Sequence, residues 1–256
     1  MIPKKIHYFW FSGDPIPAQL LQCINSWKVI MPDYELMRWD LTNTPLDCEF
    51  SLKAHEEKQW AFLTDYARFR ILYEQGGIYL DTDVLVLKPF DDLLCYNSFW
   101  GRADNGLIEP VVFGSVKNDP IVKSCLDIYL NKSNEFVFKE IPLEILPIFE
   151  LKGFQKEILS VQKIGETMIF PFDYFCPMPF EMADSNDPHR FKTENTLAIH
   201  LWNAAWFDPF RFFWNGRHKK GWKEVFRIIL KNPFQSWRFY RNVGYHFKCA
   251  IFGYPS

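Results

Sequence analysis

The sequence predicts an α/β fold: a Rossmann-like sheet with a helical appendage at its C-terminal end. Three observations carry that expectation. Strand, helix and strand signals follow one another within residues 2–40, the pattern of a βαβ unit. A helix-patterned segment beginning at Trp60 ends at Gly76-Gly77 and runs into the apolar IYLDTDVLVL. A further apolar run, TLAIHLWNAAW, returns near residue 200.

Taken in order, IPKKIHYFWFSG reads as a first strand ending in a glycine turn. From Pro15 to Ile30, residues Leu20, Ile24, Trp27 and Ile30 keep helical spacing, and Pro32 closes the segment. YELMRWD is the second strand. Residues 41–57 are mixed and polar, and read as a connection with little regular structure. Beyond Trp60, residues Phe62, Tyr66, Phe69 and Tyr73 recur at three- and four-residue spacing. On such a helix Asp65 and Arg68 rise on one face. Glycine takes the left-handed cap cheaply, so Gly76 and Gly77 stop the helix. IYLDTDVLVL predicts one buried strand, on which Asp81 and Asp83 point the same way. SFWGRA and EPVVFGS predict short strands, and Pro120–Leu130 a helix. Asp104, Asn105 and Glu109 lie between the strands, where polar residues are more often solvated than functional. Residues 142–160, with Pro142 and Pro147, read as broken helices. IFPFDYFCPMPF reads as an irregular core-facing segment.

Two carboxylates side by side at the end of a buried strand raise each other's pKa, and desolvation adds to the penalty. A divalent cation removes the conflict, and hard oxygen ligands suit magnesium or manganese, which also take phosphate oxygens. A lone DxD is short and common, and would be read as solvated. Here Asp65, Arg68, the Gly-Gly stop and the apolar strand accompany it, which favours cation and phosphate chemistry. No GxGxxG or GxxxxGK[ST] loop follows the first strand, which counts against nicotinamide binding and P-loop hydrolysis.

The run DYARFRILYEQGGIYLDTDV, residues 65–84, resembles the core of the DXD sugar transferases. The nearest resemblance is to glycosyltransferase family 32, the capsule-type and yeast mannosyl-type enzymes, with the clostridial glucosylating toxins more distant. Weaker likeness extends from Ile2 to about Trp206. The resemblance implies a GT-A-type catalytic domain over residues 1–206, and composition makes residues 207–256 a basic, aromatic-rich helical segment beyond it. It implies metal-dependent, retaining transfer from a nucleoside-diphosphate sugar, uridine-linked, to a glycan or lipid-linked acceptor in surface polysaccharide synthesis. By resemblance, Asp65, Arg68 and Asp81 grip sugar and ribose hydroxyls, with Tyr79 beside them. Asp83 and a late histidine, His200, hold Mn2+ or Mg2+, with Asn203 the second candidate. Trp10, with Phe9 before it, meets the base, and Trp206 contacts phosphate. By itself His200 would read as a satisfied core histidine, so its role rests on its neighbours.

Two rivals remain at this stage. A haloacid-dehalogenase-type phosphatase also ends an apolar strand in DxD, but that motif opens its domain and requires Thr or Val where Leu85 stands. A peripheral membrane or glycan-binding protein with a relic site is the non-enzymatic alternative.

Hydrophobic content of 48% and aromatic content of 18% argue against disorder. The charge is unevenly placed. Residues 207–256 hold ten Lys/Arg against two Asp/Glu, so the rest of the chain is acidic. That asymmetry points to an anionic partner for the tail. Within KKGWKEVFRIILKNP, Trp222, Val225, Phe226 and Ile229 make one helical face, the composition of an interfacial helix or of one packed on protein. Nucleic acid is the less fitting partner, since the aromatics form a helix face rather than spaced stacking platforms. The cysteines show no CxxC spacing, the N-terminus shows no signal-peptide pattern, and no run nears the ~20 apolar residues of a membrane span. The expected setting is cytoplasmic, on the inner face of the plasma membrane.

Overall fold

β1 (Lys5–Phe9) is the strand from which the sheet extends in both directions. β2 (Glu35–Trp39) and β3 (Gly77–Leu80) pair with it in parallel, one on each side. β6 (Ile108–Ser115) runs antiparallel to β3, and β5 (Ser98–Arg102) antiparallel to β6. β8 (Thr167–Phe170) is parallel to β5, and β7 (Gln162–Ile164) antiparallel to β8. The order is β2-β1-β3-β6-β5-β8-β7, with a separate antiparallel pair formed by β4 (Val84–Val86) and β9 (Ala198–His200). The computed structural model describes residues 1–132, 139–183, 185–203, 210, 213, 218–231, 233–235 and 237–252. The α/β class is thus as expected, with a sheet that mixes parallel and antiparallel pairs.

Alternation along the strands builds two cores. Phe9, Tyr79, Trp100 and Phe113 enter one of them. Tyr8, Ile78, Leu80, Phe99 and Val112 enter the other. α1 (Ala18–Ile30) buries Leu20, Cys23, Ile24 and Trp27 at helical spacing. It also fastens β4, for Trp27 Nε1 donates to the Val84 carbonyl at 2.8 Å and Ser26 Oγ accepts from Val86 N at 3.0 Å. α3 (Trp60–Gln75) is buried on most of its circumference, Asp65 and Arg68 included. Gly76 ends it at φ +65°, a left-handed conformation that favours glycine. α4 (Pro120–Leu130) is capped by the Asp119 carboxylate, which accepts from Ile121 N and Val122 N at 2.9 and 3.0 Å.

Three local expectations fail, each for a physical reason. IYLDTDVLVL is not one strand. β3 stops at Leu80, Asp81–Asp83 turn, and β4 joins a different sheet. Asp81 and Asp83 are therefore brought together by a turn and not by the strand pleat. Residues 41–57 contain α2 (Glu49–Glu56), which buries Phe50, Ser51 and Ala54. Two turns of helix give too short a pattern to register as periodic. α5 (Ile141–Leu151) runs through Pro147. The donor that proline lacks would have served Leu143, a residue 57% exposed, where water can take its place. The segment after β8 is core-facing as expected, with Phe175, Cys176 and Met178 buried, and irregular apart from one helical turn, α6 (Phe172–Phe175).

The chain divides into two compact units: Met1–Pro179 with Asp187–Trp202, and Phe180–Asn186 with Asn203–Ser256. The second unit contains α7 (His218–Lys231) and α8 (Trp237–Phe252). Its own small core is Phe210, Phe213 and Val225, with Trp222, Ile229, Phe239 and Val243 packed on it.

Candidate active site

The Asp81–Asp83 turn is held at both ends. Asp81 N donates to the Val111 carbonyl at 2.9 Å, and Val84 N returns to the Asp81 carbonyl at 3.1 Å. β4 then sets Val84 opposite His200 on β9, and Leu201 N donates to the Asp83 carbonyl at 3.0 Å. A distant histidine thus reaches the turn through a two-stranded sheet. Asp81, Asp83 and His200 each offer a ligand atom, and these atoms lie within 4.8 Å of one another. His200 Nε2 is 3.4 Å from Asp83 Oδ1. Its Nδ1 is buried without a hydrogen-bond partner among the described residues.

Behind Asp81 stands a second layer. Arg68 Nη2 lies 2.9 Å from Asp65 Oδ1 and 3.6 Å from Asp81 Oδ1. Arg68 Nη1 donates to the Pro110 carbonyl at 2.9 Å, and its Nε to the Thr64 carbonyl at 3.3 Å. The guanidinium lies over the Tyr79 ring at 4.5 Å, and the Tyr79 hydroxyl donates to Asp81 Oδ1. Side-chain exposure is 6% for Arg68, 9% for Asp65 and 24% for Asp81, so Asp81 is the most open of the three.

The protonation balance shows what the cluster lacks. Burial pushes the Asp65 carboxyl up to about 8, against the pull of Arg68. Burial also raises Asp81, Arg68 opposes it, and Asp83 adds to the rise. Glu109 on β6 is lifted by burial to about 7, with His200 pulling it down and Asp81 lifting it. Burial lowers His200, but Asp83 and the Cys176 thiol together more than offset this and hold it well above the usual imidazole value. Carboxyls that retain protons beside a histidine that gains one mark a site short of positive charge. Asp83 and His200, with Asp81 beside them, would hold a divalent cation such as Mn2+ or Mg2+, leaving positions for water or phosphate oxygens.

The other sequence-predicted residues fall in different places. Trp10 lies just past β1, half-buried and outside both cores, with Nε1 donating to the Asp14 carbonyl at 2.6 Å. Phe9 packs in the core against Trp39 and Tyr79, so its ring supports the site from beneath and is not presented to a ligand. Tyr79 is 1% exposed and acts on Asp81 through its hydroxyl. Asn203 belongs to the second unit, where its carbonyl accepts from Lys220 Nζ. Trp206 lies outside the described residues. Sequence reasoning missed Trp202, whose ring sits 4.1 Å from that of His200 and whose Nε1 donates to the Met178 carbonyl at 2.6 Å. It also missed Cys176, a buried thiol close enough to His200 to act on its charge. The spacing His-x-Trp was the available signal for Trp202. None existed for Cys176.

Fold and turn together define an α/β protein with a candidate cation centre between a β3–β4 turn and a late histidine. The comparisons with known proteins make this specific. Residues 17–100 match the glycosyltransferase sugar-binding region containing the DXD motif. The chain is 31% identical over 126 residues to inositol phosphoceramide mannosyltransferase 3 of Schizosaccharomyces pombe, covering 47% of this chain and 35% of that protein. It is 23% identical over 175 residues to the human alpha-1,4-N-acetylglucosaminyltransferase, covering 64% and 49%. A looser likeness, TM-score 0.45 at 14% identity over 85% of this chain and 96% of the other, is to a glycosyltransferase involved in glycosylation of the major capsid of PBCV-1. The chain spans less than half the length of the two curated relatives. The resemblance read from residues 65–84 therefore stands, inside a stretch, residues 17–100, that is similar to the glycosyltransferase sugar-binding region containing the DXD motif.

Proposed function

We propose that this protein is a metal-dependent glycosyltransferase of the GT-A type. It takes a sugar from a nucleoside-diphosphate donor, uridine-linked, and moves it with retention to a hydroxyl of a glycan or lipid-linked acceptor in surface polysaccharide synthesis. The observation that carries the reading is the convergence of Asp81, Asp83 and His200 within 4.8 Å, inside and opposite the matched DXD region.

Asp83 and His200 hold the cation in this reading. When bound, Mn2+ or Mg2+ supplies charge neutralisation to the departing diphosphate. Asp81 is left to the sugar and ribose hydroxyls, since Tyr79 and Arg68 already fix its orientation. Arg68 holds Asp65 and Asp81 in register, and both accept hydrogen bonds from a hydroxylated ligand. Trp10 lies beyond the C-terminal end of β1, where α/β sheets receive ligands, and meets the base. In the reaction the bond from the sugar's anomeric carbon to phosphate breaks and one to the acceptor oxygen forms. The acceptor proton passes to an oxygen of the departing diphosphate. Orientation and electrostatic stabilisation of the leaving group do most of the work.

The test is calorimetric titration of UDP with and without Mn2+, followed by turnover of a panel of nucleotide sugars. Cation-dependent UDP binding, lost in Asp83→Asn, is expected. UDP affinity that ignores both chelator and that substitution would end the proposal. Hydrolysis of phosphomonoesters in place of sugar nucleotides would restore the phosphatase reading.

A further inference from the structure

The second unit carries an apolar surface that the sugar-transfer reading does not use. α8 has two apolar faces. Phe239, Val243, His246 and Cys249 lie on one, and Phe239 and Val243 pack on the unit's core. The other is a stripe of Trp237, Tyr240, Phe247 and Ile251, exposed by 80, 37, 58 and 60%. These positions repeat at three and four or seven residues along the whole helix, so they share one side of it. Phe234, in the turn between the helices, and Leu230, at the end of α7, add two further side chains, 91 and 85% exposed. Large apolar side chains exposed along one whole side of a helix, unlike singly scattered ones, mark a contact surface.

Charge decides which contact. Arg241 and Lys248 are exposed beside the stripe, and α8 contains no Asp or Glu. Residues 218–252 hold eight Lys/Arg against one acid, Glu224, which is already paired with Arg227 at 2.7 Å. A second copy meeting this face through a two-fold axis would set Arg241 and Lys248 against their own kind. An anionic bilayer matches it. Apolar side chains enter the headgroup boundary, Trp and Tyr sit at its level, and the basic side chains reach lipid phosphates. No described helix is long and apolar enough to cross a membrane.

We propose that the outer face of α8, continued by Phe234 and Leu230, lies in the interface of an anionic membrane. The α7 face, which the sequence left open between lipid and protein, is the packed one: Trp222, Val225 and Ile229 belong to the unit's own core, with Trp222 edge-on to Phe213 at 5.0 Å. The proposal is independent of the sugar-transfer reading.

The test uses the full chain and sedimentation with vesicles of phosphatidylcholine, alone or mixed with phosphatidylglycerol. The protein pellets with the anionic vesicles and at least tenfold less with the neutral ones. Arg241→Gln with Lys248→Gln lowers partitioning roughly 25-fold, about fivefold for each charge near the surface. Trp237→Ser with Phe247→Ser and Ile251→Ser lowers it at least tenfold and removes the remainder that resists salt. Melting temperature stays unchanged in the charge variant, which keeps the test valid even where the serine variant misfolds. Equal pelleting on both lipids, no pelleting, or a charge variant that partitions like the parent overturns the proposal. So does a dimer in lipid-free solution that the serine variant converts to monomer.

Discussion

Two histidines occupy nearly the same string, KIHYFW around His7 and LAIHLW around His200, and the molecule treats them in opposite ways. His7 is fully buried, with Nδ1 accepting from Trp39 Nε1 at 3.1 Å and Nε2 3.0 Å from the Gly76 carbonyl. An indole can only donate, so Nδ1 is the acceptor and Nε2 carries the proton to Gly76. Both nitrogens are matched in the neutral state, and burial pulls the pKa down to about 4. The ring also fills the space beside Gly77, where a Cβ would come within 2.8 Å of Nε2. His200 faces the Asp83 carboxylate, its Nδ1 makes no hydrogen bond among the described residues, and its pKa moves up. A buried imidazole with both nitrogens matched is a piece of core. A buried imidazole that shares a carboxylate field with a second acid is a place for a cation.

The largest expected effect tests that division directly. Each of His200→Ala and Asp83→Asn should lower kcat/KM for sugar-nucleotide turnover by ~10²–10³-fold, the scale of removing one electrostatic stabiliser of a leaving group. Circular dichroism should show an intact fold for both; in the metal-free protein Asp83→Asn also removes the repulsion between Asp83 and Asp81. His7→Gln should leave turnover per folded molecule unchanged. Turnover that falls equally for His7→Gln and His200→Ala would erase the distinction between the two rings.

The strings around these residues explain how far the sequence could be read. The helix over Trp60–Gln75, its glycine stop, the parallel pairing of the first two strands and the Asp65–Arg68 pair were all legible, because local spacing determines each of them. The role of His200 was reached only through resemblance. Nothing within KIHYFW or LAIHLW tells one imidazole from the other, since the difference lies in partners supplied by Trp39, Gly76 and Asp83. The Asp81–Asp83 turn was misread for the same reason. An unbroken apolar run cannot show that its first half joins one sheet and its second half another. The burial of Phe9 was not legible because both faces of β1 are covered, which local pattern alone does not show.

A pH experiment sharpens the comparison on the stability side. His7 has a folded-state pKa of about 4 against an ordinary value of 6.5. Between those values the unfolded chain binds the extra proton, so stability from His7 is complete above 6.5 and is lost as pH falls through 4. The full difference is ~3 kcal/mol at 1.36 kcal/mol per unit. His200 has the opposite sign in the metal-free protein. Its raised pKa gives stability that is present below 6.5 and is lost as pH rises through the folded-state value. Asp65 and Glu109, also raised, act in the same direction as His200 and partly mask His7. The quantity to measure is therefore a difference: urea midpoints in chelator at pH 7 and 4.5, parent against His7→Gln. The parent should lose more stability than the variant on acidification. Equal losses would mean that His7 is charged in the fold, against its two hydrogen bonds.

The smallest effect concerns what aims His200. Trp202 lies against the imidazole at a centroid distance of 4.1 Å and an interplanar angle of 44°. Its backbone sits at φ +50°, a left-handed conformation unfavourable for a large side chain, and its indole is tied to the Met178 carbonyl at 2.6 Å. Strain of this kind persists only where surrounding contacts hold it, and it gathers at functional sites. Here it turns the indole onto His200 and restricts the ring to the orientation that directs Nε2 at Asp83. Partners that orient a ligand cost ~10–100-fold in metal affinity when removed. Trp202→Ala should therefore weaken Mn2+ binding by that factor in calorimetry without abolishing it, a smaller loss than that of His200→Ala. Trp202→Phe keeps a ring beside the imidazole and gives up only the bond to Met178, so it should fall between parent and alanine. Trp202→Gly separates backbone from side chain. It relieves the left-handed strain, so it should be more stable than Trp202→Ala while binding Mn2+ no better. Parental Mn2+ affinity in Trp202→Ala would show that the strands alone aim His200, and the strained backbone at Trp202 would then need another cause.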